Sequence, residues 1–246
     1  MSFDLALIAD SIPKMLTGIG MTFSLWFLSA VLGLALAIIL LLMRISGRWY
    51  LAAPTMVYIY IFRGTPILVQ IFIIYHGLPQ LEFVRESIFW PILREPFGCA
   101  ILALTLNTGA YVSEILRGGV LGVDRGLKEA GAALGLSTTH RFIHITSPIA
   151  IRLALPAYSN DVISLMKSTA LASTITILDM MGIARTIVAE TYAPYEIFIS
   201  LMVVYLVLTW IIQRTFGWVE KRMSRHVRSE ATDMGRYVAR SEPTDG

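Results

Sequence analysis

Long apolar stretches separated by short polar segments dominate the sequence. The clearest one, at 21–43, has no charged residue in 23 positions, which is enough for a helix to cross about 30 Å of hydrocarbon. Residues 1–20 mix apolar and charged positions and predict a segment at a membrane surface, whereas the polar residues 229–246 predict a flexible tail. The pattern predicts an all-α integral membrane protein with about five transmembrane helices. Their approximate ranges are 21–43, 54–80, 97–116, 148–170 and 197–213.

The second predicted span is interrupted by Arg63-Gly64-Thr65-Pro66. Glycine and proline both weaken a helix, and an arginine is unfavourable within lipid. Arg63 either extends to the interface, as long basic side chains do, or lines a cavity, which is where broken helices are tolerated at membrane depth. The sequence leaves both interpretations open.

The fourth predicted span contains Asp161, and a carboxylate at helix-centre depth costs about 2.5–3.5 kcal/mol on insertion scales. Lys167 is a poor partner, because six residues along a helix leave it about 120° away around the axis. Arg63 on another helix and a cationic group of a transported solute remain as alternatives. The neighbouring Asn160, and Ser164 one turn further on, could supply neutral hydrogen bonds.

A short amphipathic segment lies in the polar loop at 118–147. Leu127, Ala130 and Leu134 fall on one face of a helix predicted for residues 127–136, and Gly135 would end it in the left-handed conformation. Such a helix either packs on its own protein or is exposed as a binding surface for another protein.

Composition and charge support a membrane protein of defined orientation. Hydrophobic residues make up 56% of the chain and charged residues 15%, against about 25% charged in soluble domains. If the N-terminus is external, 14 of the 20 basic residues lie on the same side of the membrane as the C-terminus, four lie on the opposite side and two lie within the spans. Because basic residues concentrate in cytoplasmic loops, we expect a periplasmic N-terminus, a cytoplasmic C-terminus and a cytoplasmic 118–147 loop. The net charge of +3 then calls for no nucleic-acid partner.

No sequence pattern of a catalytic or metal site is found. The single Cys99 excludes an internal disulfide, and no group of histidines and cysteines has metal-ligand spacing. The glycine-rich phosphate loop of nucleotide hydrolases is also missing, so we expect a transport subunit that is not an enzyme and holds no cofactor or metal. Any ATP hydrolysis must then occur in another subunit. A secondary transporter remains an alternative, although five spans do not divide into inverted repeats.

Several motifs together resemble the permease subunits of polar amino-acid ABC importers. Glu129-Ala130, with Gly135 and the later Pro148, resembles the EAA loop that docks these subunits on their ATPase. Gly131 and Ser147 depart from it, since the family usually has alanine and leucine there. The remaining motifs are 60–66 (YIFRGTP), 106–108 (LNT), 154–160 (ALPAYSN) and 168–172 (STALA), and the resemblance covers about 15–228.

This likeness extends to the M-type subunits of histidine, lysine-arginine-ornithine and opine importers. It implies a type I importer transmembrane domain in the bacterial inner membrane, paired with a Q-type permease, two ATPases that bind ATP and Mg²⁺, and a periplasmic binding protein. The implied substrate is a cationic amino acid (arginine, lysine, histidine or ornithine) or an arginine-derived opine (octopine or nopaline). Another polar amino acid such as glutamine is the alternative.

The resemblance also implies roles for particular residues. The acid that follows Asn160, often glutamate in relatives and here Asp161, would help to hold the substrate, and Ser164 and Thr65 are candidate neighbours. A coupling helix in the 118–147 loop would contact the ATPase. The residues expected at that contact are Leu127, Glu129, Ala130, Leu134 and Gly135.

Overall fold

The computed structural model describes the backbone of residues 5–241 and the side chains of residues 6–223. Almost all of this part is helical, and irregular helical turns extend α4 and α10 at Ile73–Gln80, Phe142–Thr146 and Thr169–Ile175. The helices are α1 (Leu5–Leu16), α2 (Ile19–Ile45), α3 (Trp49–Gly64), α4 (Ile67–Phe72), α5 (Glu82–Arg85), α6 (Trp90–Leu93), α7 (Pro96–Leu121), α8 (Arg125–Ala133), α9 (Thr138–Arg141), α10 (Ser147–Ser168), α11 (Met180–Thr191) and α12 (Pro194–Ser241).

Three of these helices are long and apolar enough to cross a membrane without interruption: α2, α7 and the part of α12 up to Met223. Two bent pairs supply up to two more spans, α3 with Ile67–Gln80 at 105° and Thr138–Ile175 with α11 at 51°. The 27 residues of α2 extend about 40 Å at 1.5 Å per residue. The described part of the chain thus offers up to five spans, in agreement with the predicted fold class.

The central helix of the bundle is α7, which packs against α2, α3 and α10. Glycines make this packing close. A Cβ atom on Gly33 of α2 would lie 2.7 Å from Thr108 Cγ2, and one on Gly119 of α7 would lie 2.5 Å from the backbone oxygen of Ala150. Small residues allow helix backbones to approach one another within a membrane. In this way α7 fixes the relative positions of the helices that line the cavities described below.

The N-terminal segment forms α1, which packs against α11 and α12. Ser11 and Met15 are fully buried, and Met15 belongs to an apolar cluster that includes Met180. The exposed residues of α1 include Asp10 and Lys14, which form an ion pair one helical turn apart. The mixture of apolar and charged residues at 5–16 is therefore that of a helix with one packed side.

Two helices extend beyond their predicted ends. α7 continues to Leu121 instead of ending near 116, and α12 continues past 213 to Ser241. The flexibility of 229–246 stays a prediction. Residues 242–246 lie outside the described residues. The physical reason is that a charged residue ends an apolar stretch without ending a helix, since arginine and glutamate are good helix formers. The length of an apolar stretch therefore predicts how much of a helix is embedded in the membrane, and not where the helix ends.

Candidate functional site

The break in the second span is a sharp turn between α3 and α4. Thr65 has φ −119° and ψ 147°, and Pro66 has φ −64° and ψ 133°, so both are extended. Proline lacks a backbone N–H and disfavours helical geometry in the residue before it. The local sequence therefore ends α3 at Gly64 and lets α4 leave in a new direction.

Side-chain amides bind the backbone oxygens that this break exposes. Gln70 Nε2 donates to the carbonyl oxygens of Phe62 at 2.9 Å and Thr65 at 3.1 Å, and to Thr65 Oγ1 at 2.8 Å. Asn107 Nδ2 of α7 donates to the Phe62 carbonyl at 3.2 Å and to Gln70 Oε1 at 3.1 Å. Non-helical backbone is tolerated at membrane depth only when its polar groups are satisfied in this way.

Gln70 is the functional residue that the sequence reasoning missed. It is buried in an apolar stretch just after the break, and a polar side chain within a predicted span is itself a signal that such a partner exists. Asn107 entered the sequence analysis only as part of a motif, and its link to Gln70 depends on the packing of α4 on α7.

A first cavity of about 280 Å³ opens beside the break, between α7 and α10. It brings together three of the four residues predicted to bind substrate, namely Thr65, Asp161 and Ser164. Asn160 does not line it and is exposed on another side of α10. The other lining residues are Pro66, Ile67, Leu104, Asn107, Thr108, Tyr111, Leu165 and Ser168.

Asp161 has no ionic partner within the chain as far as its side chains are described. The four salt bridges found among residues 6–223 involve other carboxylates, so neither Lys167 nor Arg63 neutralises it. Asp161 lies 14 residues after Ser147, about 21 Å along α10. For a half-buried carboxylate on this helix, water or a cationic ligand from outside the chain can supply the missing partner.

A second, larger cavity of about 710 Å³ adjoins the first and shares Thr65 and Tyr111 with it. Arg63 lines this cavity, with its guanidinium carbon 5.2 Å from the centre of the Tyr111 ring. Arg63 is exposed and lines a cavity, and its position relative to the membrane interface stays a prediction. Arg44 and Glu114 also line it, and Glu114 is bound by Arg117.

The 118–147 loop contains α8, which begins and ends earlier than the predicted range 127–136. It starts at Arg125 because the Asp124 carboxylate accepts a hydrogen bond from the Gly126 N–H at 2.7 Å, the usual role of aspartate before the first helical turn. It ends at Ala133, so Leu134 caps it and Gly135, at φ +76°, turns the chain. The left-handed conformation predicted for Gly135 is therefore confirmed.

All five residues predicted to contact an ATPase are exposed around α8. Leu127 is 47% exposed and Leu134 is 80% exposed, whereas Gly131 is buried. A Cβ atom at Gly131 would lie 2.8 Å from Ile145 Cδ1 and 3.2 Å from Arg141 Cγ, so alanine at this position would require these side chains to shift. α8 thus packs on its own protein through one side and presents its leucines on another.

No group of three or more His, Cys, Asp and Glu among the described residues is placed to hold a metal ion. The cavities are instead lined by single charged residues, amides and hydroxyls. Such groups can bind a small polar solute by ion pairing and hydrogen bonding.

Comparison with known proteins identifies the family. Residues 29–225 match the family described as the inner membrane component of binding-protein-dependent transport systems. The chain is 46% identical over 231 residues to the octopine transport system permease protein OccM of Rhizobium radiobacter, covering 92% of this chain and 94% of that protein. It is 42% identical over 217 residues to the histidine/lysine/arginine/ornithine transport system permease protein HisM of Escherichia coli strain K12, covering 88% and 91%.

Solved structures agree with this assignment. A crystal structure of an amino acid ABC transporter with histidines superposes with a TM-score of 0.80 at 31% identity, covering 90% of this chain and all of that one. The MetNI methionine ABC transporter, in an inward facing conformation, superposes with a TM-score of 0.66 at 18% identity over 90% of this chain and 98% of that one, and shows the shared fold. This chain therefore belongs to the family of inner-membrane permease components of binding-protein-dependent ABC importers.

Proposed function

We propose that this permease subunit imports a cationic amino acid or an arginine-derived opine. The observation that carries the proposal is Asp161, a carboxylate that lines a cavity and has no basic partner among the described side chains. A guanidinium or ammonium group of the solute would supply the missing charge, with Thr65 and Ser164 as hydrogen-bonding neighbours. Relatives at 42–46% identity are named for octopine and for histidine, lysine, arginine and ornithine transport.

The partners that we propose follow from the family and from α8. This subunit would pair with a Q-type permease and receive solute from a periplasmic binding protein. Two ATPases would bind ATP and Mg²⁺ and dock on α8, whose exposed Leu127 and Leu134 suit a partner groove. The chain itself would hydrolyse no ATP. This arrangement requires α8 and the C-terminus to be cytoplasmic and the N-terminus periplasmic, as the distribution of basic residues predicts.

A neutral polar amino acid such as glutamine is the alternative substrate. Its α-ammonium group can also pair with Asp161, so the cavity alone does not exclude it. The relatives named for octopine and for histidine, lysine, arginine and ornithine transport favour the cationic substrates. A secondary transporter is a weaker alternative, since the family consists of components of binding-protein-dependent systems.

Uptake into proteoliposomes by the reconstituted complex tests the proposal. Asp161→Asn should reduce uptake of labelled arginine or octopine about 10-fold or more, because hydrogen bonds to charged groups contribute about 1.5–3 kcal/mol. Asp10→Asn on α1, the same chemical change at an exposed site, should leave uptake unchanged. If Asp161→Asn assembles normally and retains full uptake of these cationic substrates, the proposal is wrong.

A further inference from the structure

We propose that Arg63 forms a second subsite, which binds a carboxylate group of the solute. The permease would then select molecules that carry a cationic group at one end and a carboxylate at the other. This inference rests on the proposed function, which places the cationic group at Asp161. The imported cation alone does not explain why an arginine lies beside the break of the second span. A carboxylate subsite gives that arginine a role.

The two cavities place Arg63 and Asp161 at a similar depth. Arg63 lies 14 residues after the first residue of α3, and Asp161 lies 14 residues after the first residue of α10, so each is about 21 Å along its helix. The ion pair between Arg44 and Glu114, at 4.0 Å, shows that α2 and α7 end on the same side. α3 follows α2 after a short connection and starts on that side. The close approach of Gly119 to Ala150 places the start of α10 beside the end of α7, on the same side.

Thr65 and Tyr111 form the boundary between the cavities and line both of them. A solute held by Asp161 in the smaller cavity can therefore extend past these two side chains into the larger one. The Arg63 guanidinium lines that cavity beside the shared Tyr111 ring. The adjoining cavities thus offer a negative and a positive group to one molecule.

The Arg63 guanidinium is available for an anion. Among the described side chains no carboxylate lies within 4.0 Å of it, and the nearby Glu114 is already bound by Arg117 Nη2 at 2.8 Å and Nε at 3.0 and 3.1 Å. Stacking on Tyr111 positions the planar group without using its N–H donors. A guanidinium held in this way matches a carboxylate by two parallel hydrogen bonds.

Ligand binding by the assembled complex, in lipid nanodiscs and without the binding protein, tests this subsite. The probes are arginine and octopine, which carry carboxylates, and agmatine, which carries the guanidinium without a carboxylate. Wild-type complex should bind arginine or octopine at least about 10-fold more tightly than agmatine. Arg63→Gln should weaken binding of the carboxylate-bearing ligand about 10- to 100-fold and leave agmatine affinity unchanged.

Two further variants separate the outcomes. Arg63→Lys keeps the positive charge but cannot make the two parallel hydrogen bonds of a guanidinium. It should therefore weaken binding of the carboxylate-bearing ligands by a smaller factor and leave agmatine binding unchanged. Arg94→Gln, at an exposed site, should leave the affinity for all three ligands unchanged. Asp161→Asn should weaken all three ligands. An equal loss of agmatine and arginine in Arg63→Gln, or no loss of either, overturns the subsite while the Asp161 effect remains. If Asp161→Asn has no effect on any ligand, the proposed function fails and the subsite with it.

Discussion

Gln70→Leu should destabilise the permease by opening the break between α3 and α4. Gln70 makes four hydrogen bonds around the break, three of which share its two N–H groups, so about three independent bonds are lost. Hydrogen bonds between helices in a membrane average about 0.6 kcal/mol, which gives a loss of about 2 kcal/mol in the free energy of unfolding. The Phe62 carbonyl keeps its bond from Asn107, whereas the Thr65 carbonyl loses its side-chain donor.

The midpoint of SDS-induced unfolding of the purified complex, with uptake in parallel, measures this effect. Gln80→Leu is the matched control, because Gln80 is exposed and its Nε2 donates to the His76 carbonyl at 2.8 Å. The control should unfold close to the wild-type midpoint, and Gln70→Leu should unfold earlier and import more slowly, since the break positions Thr65. Equal midpoints for the two variants would show that the amide is not what satisfies the break.

Two other predictions concern helix packing and ATPase docking. Gly119→Ala should destabilise the bundle by about 1–3 kcal/mol, because the added Cβ atom would meet the backbone of Ala150. A Cβ atom at Gly118 meets nothing within 4 Å, so Gly118→Ala should not lower the unfolding midpoint. Leu134→Asp should weaken co-purification of the proposed ATPase and coupled ATP hydrolysis, while Ile88→Asp, an equally exposed apolar site at the other end of α7, should not. A Gly119→Ala protein as stable as Gly118→Ala, or a Leu134→Asp complex that stays fully coupled, would contradict these predictions.

The sequence predicted those features that the lipid environment imposes. Apolar length indicated the spans, and the combination of arginine, glycine and proline at 63–66 indicated the break, because backbone groups in lipid must be satisfied locally. Gly135 was predicted to turn the chain because a left-handed residue commonly ends a helix. Each of these predictions depends only on the residues of one short segment and on whether lipid or water surrounds them.

The sequence could not show how the helices are rotated relative to one another. Asn160 and Asp161 are neighbours in the chain but point about 100° apart around α10, and only the packing against α7 decides that Asp161 faces the cavity. The same holds for Gln70, whose partners lie on both sides of the break. The start of α8 is a different case, since Asp124 is a recognisable capping residue and was overlooked.

Hydrogen bonds connect α8 with the ends of both helices that line the cavities. In the chain it follows α7, which carries Tyr111, and precedes α10, which carries Asp161. Lys128 connects α8 to both helices. Its Nζ donates to the Val120 carbonyl, at the end of α7, at 3.2 Å. Its carbonyl oxygen accepts a hydrogen bond at 3.3 Å from Nη1 of Arg141, which lies in the segment that leads into α10. In the proposed function, an ATPase that displaces α8 would therefore act on both helices through Lys128. Because α7 also packs closely on α10 at Gly119, movement of the two helices as a pair would leave the cavity between them unchanged. Sliding of one helix along the other at that contact would change it, so we expect sliding to be the motion that opens or closes the cavity.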